Sequence, residues 1–163
     1  MTLLAIDGPA GAGKTTFAAK LAEEFSHAAS VQVIHMDDLY NGWDNALSSN
    51  LTQILKGILV AHKESNEFWI QKINWSNLKR TKMQKIAATD VLILEGVGAA
   101  QAIVRAAGAT TYWIDIEREL GLQRVLVRDG AQIEARMRQW LIDQEIYFQS
   151  DQTRENCKHR ITS

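Results

Sequence analysis

Gly8-Pro9-Ala10-Gly11-Ala12-Gly13-Lys14-Thr15 is the stretch that decides the fold. It follows an apolar run, Leu3-Leu4-Ala5-Ile6, and precedes a helical pattern in which Phe17, Leu21 and Phe25 recur every four residues. Strand, glycine-rich loop and helix, in that order, form the setting of a phosphate-binding loop. The glycines let successive backbone N–H groups curl around a phosphate chain, and the helix N-terminus adds its positive dipole end. On this reading Gly8, Ala10, Gly11, Ala12, Gly13, Lys14, Thr15 and Thr16 face a nucleotide. Lys14 reaches its terminal phosphates, and the Thr15 hydroxyl ligates Mg²⁺. A glycine-rich turn can match one such position by accident. All four fixed positions with the right flanks imply a nucleoside triphosphate site, with ATP and Mg²⁺ as the expected ligands.

Further along the chain, the runs Val31–Ile34, Val91–Leu94 and Tyr112–Ile116 repeat the apolar character of the first strand, and His159–Thr162 reads as a short, weak fifth. They lack strict polar alternation, as expected of strands covered on both faces. Between them lie helical stripes: Leu51, Ile54, Leu55, Ile58 and Leu59, then Ile133, Met137, Trp140 and Leu141. Gly108 is placed to end a short helix before the Tyr112 strand. Strands alternating with helices predict an α/β fold with a parallel sheet. The chain has 163 residues, no repeat, no linker, and its one proline lies in the phosphate loop, so a single domain over 1–163 is expected.

Composition narrows the class. A net charge of −1 leaves no basic footprint for nucleic acid. The one cysteine, Cys157, cannot form an internal disulfide and suits a reducing compartment. No apolar stretch approaches a membrane span, and the N-terminus runs directly into the first strand, which predicts no signal peptide and a cytoplasmic location. His27, His62 and His159 have no zinc-ligand spacing with Cys157 or one another. The expected state is monomer or homodimer.

Carboxylates then fall where phosphate chemistry needs them. Met36-Asp37-Asp38-Leu39-Tyr40 follows the second strand, at the carboxyl edge where open parallel sheets bind ligands. One aspartate there can take a proton from an attacking hydroxyl, and one can hold water on Mg²⁺; an Asp pair can also simply open a turn. Val91-Leu92-Ile93-Leu94-Glu95-Gly96 ends an apolar strand in an acid, placing Glu95 to work on the same metal as Thr15. Arg124 and Arg128 lie one helical turn apart and share a face. Asp129-Gly130 follows, where the helix is expected to end. Arg128 is read as neutralising phosphoryl charge, whereas Arg136 and Arg138 read as a solvated helix face. His35 reads as packed or hydrogen-bonded. Residues 63–88, with Trp69, Trp75 and many lysines, are less regular: either a cover over a second substrate or a surface excursion whose tryptophans pack on the core.

GPAGAGKT, MDDLY, LILEG and R-x-x-x-R-D together resemble the uridine kinase-like branch of the phosphate-loop kinases, which includes uridine–cytidine kinase, phosphoribulokinase and type I pantothenate kinase. The segment Ile114–Asp129 looks particularly like the uridine kinase stretch leading into its lid. The resemblance implies a P-loop NTPase fold, a five-stranded parallel sheet of order 2-3-1-4-5 with helices on both faces and a helical lid. It implies Asp37 as general base, also near the metal, with Tyr40 beside it, Glu95 as the metal-linked acid and Arg128 as a lid arginine. MDDLYNGWDN and Ile70-Gln71-Lys72-Ile73-Asn74-Trp75 further resemble small bacterial uridine kinase-like ATP-binding proteins, which places Trp43 and Asn74 toward the acceptor. Where that group carries Asp, this chain has Asn74, which bonds a hydroxyl but is no carboxylate.

Three readings follow. The first is a Mg-ATP-dependent kinase acting on a hydroxyl of a small molecule, a nucleoside or sugar-like metabolite, with Asp37, Lys14 and Arg128 carrying the chemistry. The second is an ATP-binding switch with no acceptor. The third is a nucleoside monophosphate kinase, which would need an added cationic cluster, for which Lys79, Arg80 and Lys82 are the candidates.

Overall fold

The computed structural model describes residues 1–163. Its central sheet is built from β1 (Thr2–Asp7), β2 (Val31–His35), β7 (Val91–Glu95), β8 (Thr110–Asp115) and β9 (His159–Thr162). In space they run β2-β7-β1-β8-β9, and every neighbouring pair is parallel. Counted along the chain, the five strands of this sheet stand in the order 2-3-1-4-5, as expected. The weak strand at the C-terminus is real, held by β8 on one side.

Both faces of the sheet are buried, which explains the unbroken apolar runs. Leu4, Ile6, Val91, Ile93 and Ile114 point to one face and pack with Ala18 of α1 (Lys14–Ser26), helped by Phe17, Leu21 and Phe25. Ala5, Leu92, Leu94, Ile34 and Trp113 point to the other. There they meet α3 (Ser49–Lys63), α4 (Ala102–Ala106), α5 (Arg118–Asp129) and α6 (Glu134–Asp151). Alternation is therefore present, but it sorts apolar residues between two cores instead of separating apolar from polar. Gly108, at φ 85°, ends α4 as expected. No helix is long and apolar enough to cross a membrane.

Residues 63–88 are more regular than their sequence suggests. After α3 they form one long antiparallel hairpin, in which β3 (Phe68–Ile70) pairs with β6 (Gln84–Ile86) and β4 (Ile73–Asn74) with β5 (Lys79–Arg80). The Thr81 N–H donates to the Lys72 carbonyl at 2.8 Å and joins the two ladders. Ladders of two and three residues carry too little alternation for a period to register. Phe68, Ile70 and Ile73 face the core, Trp69 is exposed, and the tip at Trp75 reaches back over α2 (Met36–Leu39).

Sheet register positions the site. Ile6, Glu95 and His35 lie in one row across β1, β7 and β2, so the chain leaves all three strands at the same edge. The order of connections reverses beside β1, the place where a crevice opens in a parallel sheet. Gly96 makes the row compact. A Cβ there would lie 2.7 Å from Met36 Cβ, so only glycine lets the exit of β7 pass the first turn of α2.

Candidate active site

The phosphate loop ends at Gly13, in the left-handed region at φ 88°, and α1 starts at Lys14 with no side chain capping it. The amides of its first turn have no intrahelical partner and point into the crevice. The contrast with α5 is informative, since there Glu117 accepts from the Glu119 and Leu120 amides and closes the helix end. Gly11 and Gly121 allow α5 to approach the loop from behind: a Cβ on Gly11 would lie 2.2 Å from the Gly121 carbonyl oxygen. A loop amide is held on the same side, where the Ala10 N–H donates to Oε1 of buried Gln144 at 3.1 Å.

Lys14 is buried, and its Nζ donates to the Pro9 carbonyl at 2.8 Å. Burial pushes its pKa down, while Asp7, Asp37 and Glu95 pull it back up. The Thr15 hydroxyl donates to Glu95 Oε1 at 3.1 Å, so the two residues expected to share a metal do meet. His35 Nδ1 bonds the same Glu95 oxygen, and that bond raises the imidazole pKa. His35 is thus hydrogen-bonded, as read.

The two neighbouring aspartates separate. Asp37 opens into the cleft beside Lys14, Glu95 and Arg128. The surrounding protein desolvates its carboxylate and raises its pKa; Lys14 and Arg128 oppose that rise, whereas Glu95 and Asp38 add to it. Asp38 turns away and pairs with Lys72 Nζ of the hairpin at 2.8 Å. One helical turn explains the divergence, since successive side chains point about 100° apart.

The cleft holds about 630 Å³. Ala10, Gly11, Gly13, Lys14, Thr15 and Thr16 of the glycine-rich loop and α1 line it with Arg124 and Arg128 of α5, and Tyr40, Trp43, Trp75 and Trp140 line it as well. Arg124 donates to the Gly11 carbonyl at 3.4 Å and to Ser163 Oγ at 2.6 Å. Arg128 is held by both carboxylate oxygens of Asp129. The expected lid is a corner: α5 turns into α6 through Gly130, at φ 98°, and one tight helical turn over Ala131–Ile133. Arg138 pairs with Glu134 and Glu119, and Arg136 lies 3.6 Å from Asp44, a solvated face as read.

Two expected assignments do not assemble. Asn74 stays outside the cleft, its Oδ1 accepting from the Ser76 N–H and hydroxyl at the hairpin tip. Trp75, the next residue, takes the place facing the cleft, and its Nε1 donates to the Asp37 carbonyl at 3.0 Å. Lys79, Arg80 and Lys82 do not line the cleft either. Arg80 donates to the Leu39 and Gln71 carbonyls and fastens the hairpin to α2. Tyr40 lies beside Asp37 as expected, but it is buried with its hydroxyl donated to the Val97 carbonyl at 2.7 Å. It contributes a ring, not a free hydroxyl.

Asp7 was missed by the sequence reading. Fully buried at the end of β1, it accepts from the Gly8, Gly98 and Ala100 amides at 2.8, 3.2 and 2.8 Å, tying the phosphate loop to the segment after β7. The signal was available, because Ala5-Ile6-Asp7-Gly8 repeats the apolar-acid-glycine pattern of Ile93-Leu94-Glu95-Gly96. Burial outweighs the three amides and pushes its pKa up to about 6. The neutral acid is therefore favoured in the folded state. Its contribution to stability is fully present below about pH 4 and is lost as pH rises through about 6. Urea unfolding should show wild type gaining on Asp7→Asn by up to about 3 kcal/mol between pH 7 and pH 4. A constant difference across that range would remove Asp7 as the cause.

No family model matches the chain, and no curated protein matches it in sequence. Solved structures do match. A possible uridine kinase from Bacillus stearothermophilus superposes with a TM-score of 0.70 at 16% identity, covering 98% of this chain and 88% of that one. A candidate fructose transport system kinase from Silicibacter sp. TM1040 gives 0.77 at 14% identity, with 98% and 88% covered. Shikimate kinase from Bacteroides thetaiotaomicron gives 0.55 at 13% identity, with 99% and 85% covered. The likeness is one of architecture: the chain has the fold of the phosphate-loop kinases.

Proposed function

We propose that this chain is a kinase that transfers the γ-phosphoryl group of ATP to a hydroxyl of a small molecule. The observation that carries the reading is Asp37, an aspartate opening into the same cleft as the uncapped start of α1 and the cations Lys14 and Arg128. A switch that only closes on nucleotide needs no carboxylate there. The structural neighbours named for uridine, fructose transport and shikimate support the small-molecule class at the level of fold.

In the transfer, the acceptor oxygen forms a bond to the γ-phosphorus. The bond from that phosphorus to the bridging oxygen breaks, and its electron pair leaves on ADP. The hydroxyl proton passes to the Asp37 carboxylate. A base with a raised pKa binds that proton more readily, and Asp37, open to the cleft, has its pKa shifted in that direction by the protein around it and by Glu95. Lys14 and Arg128 offset charge on the transferring group, with Arg128 first having to leave Asp129. Arg124, on the Gly11 carbonyl, borders the nucleotide.

Thr15 and Glu95 fit Mg²⁺, since both offer hard oxygen donors and already touch. No group of three His, Cys, Asp or Glu side chains could hold a metal by itself, which suits an ion that arrives with the phosphates. When bound, Mg²⁺ supplies charge neutralisation between the phosphates.

The test is Mg-ATP consumption across nucleosides, sugars, vitamin precursors and amino alcohols. ADP release that depends on one acceptor is the expected result; release indifferent to every acceptor would leave the switch. Glu95→Gln should raise the Mg²⁺ concentration for half-maximal activity by about 10-fold or more, while nucleotide binding without metal changes little. An unchanged Mg²⁺ requirement would make Glu95 a structural partner of Thr15 and His35.

A further inference from the structure

α2 is a single helical turn, Met36–Leu39, and it carries Asp37. Its inner face is held by burial of Met36 and Leu39, with Tyr40 buried just beyond. Apolar burial has no direction. It keeps the turn on the core but leaves its rotation, and with it the aim of the Asp37 side chain, to directional bonds. The last carbonyls of a helical turn have no partner within it.

The hairpin over residues 68–86 supplies those partners. Trp75 Nε1 donates to the Asp37 carbonyl at 3.0 Å, and both terminal nitrogens of Arg80 donate to the Leu39 carbonyl at 3.2 Å. Lys72 takes the residue between, pairing with the Asp38 carboxylate. Three consecutive residues of α2 are thus gripped by one hairpin. The grip is stiff. Arg80 Nη1 also donates to the Gln71 carbonyl at 3.2 Å, so one planar guanidinium ties the hairpin's two arms to α2. The Lys72 N–H donates to the Thr81 hydroxyl at 3.1 Å and braces the same level. The Trp75 indole packs edge to face on Trp43 and Tyr40, with centroids 5.2 and 6.4 Å away, which fixes where its N–H points.

The three holds differ in kind. Lys72 contributes a half-exposed ion pair, which solvent screens. Trp75 lines the cleft, so it also shapes the surroundings of the acceptor. Arg80 does not line the cleft, yet it makes a charged, two-pronged bond to the backbone of α2, the stronger class of hydrogen bond. Resting on the kinase reading above, we propose that Arg80 is a positioning residue: from outside the cleft it fixes the turn that aims the Asp37 carboxylate at the acceptor hydroxyl.

Arg80→Met keeps most of the aliphatic stem and removes the donors. It should lower kcat at least about 10-fold with the KM for ATP near wild type, since displacing a reacting group by a fraction of an ångström is costly. Arg80→Lys, which keeps one charged donor, should recover much of that loss. In an Asp37→Asn background Arg80→Met should cost less than about 2-fold, because the group it acts through no longer serves as base. An unchanged kcat in the single variant, or an equal loss in both backgrounds, overturns the role. Amide exchange in the protein without ligands reads the same contact apart from turnover. The Tyr40 N–H, bonded across α2 to the Met36 carbonyl at 3.2 Å, should exchange about 10-fold faster in Arg80→Met while the amides of β1 and β7 keep their rates. Unchanged Tyr40 exchange beside acceptor-dependent turnover overturns the positioning role alone. ADP release indifferent to every acceptor overturns the kinase reading and this role with it.

Discussion

Asp37→Asn is expected to lower kcat by about 100-fold or more while ATP affinity stays near wild type, once an accepting hydroxyl is supplied. The substitution keeps size and most hydrogen bonding but removes the basic oxygen. Asp38→Asn should do much less, because Asp38 faces the hairpin and bonds Lys72. Its loss releases a half-exposed ion pair, and solvent screening keeps such a pair worth little. Steady-state kinetics on both variants, with ATP and acceptor varied independently, separate the roles. A crippled Asp38→Asn enzyme beside an active Asp37→Asn enzyme would invert the assignment. Two active variants would end the base mechanism.

Lys14→Ala should weaken ATP binding by roughly 2–3 kcal/mol, the scale of a charge-assisted phosphate contact, before any further loss in turnover. The fold should survive. Lys14 is buried at a cost, as its lowered pKa records, and its side chain's one hydrogen bond in the protein goes to the Pro9 carbonyl. Alanine at the first position of α1 is a good helix former. Calorimetric titration of ATP, run beside thermal unfolding, checks both halves. Unchanged affinity in a folded variant would show that the loop does not hold the terminal phosphates through Lys14.

Legibility in the sequence followed the range of the interaction. The phosphate loop, the strand ends at Glu95 and before Asp37, and the stop at Gly108 could be read because each is a short contiguous signal with its own physics. Even Arg124 and Arg128 of α5 could be paired, since helical spacing is local. The hairpin over residues 68–86 could not, because each of its ladders has too few residues to show a period, and its stability comes from Phe68, Ile70 and Ile73 meeting a core built elsewhere. Trp140 was visible only as one member of an apolar stripe. Its place opposite Trp43 and Tyr40 depends on how α6 packs after the corner at Gly130.

The sequence by itself determined that this chain folds as alternating strands and helices around a phosphate loop, with Glu95 and the Asp37–Asp38 pair at the carboxyl edge of the sheet. Glycines in a loop, apolar runs and strand-end carboxylates act within a few residues of one another, so their order in the chain carries their meaning. Tertiary structure decided what the cleft presents. It turned Asp37 inward and Asp38 to Lys72, kept Asn74 out, brought Trp75 in, and joined Asp7 to the amides of Gly98 and Ala100. Those outcomes depend on side-chain direction within one helical turn and on contacts between residues tens of positions apart. Neither is encoded in local spacing; both follow only when the hairpin and α6 close over the sheet.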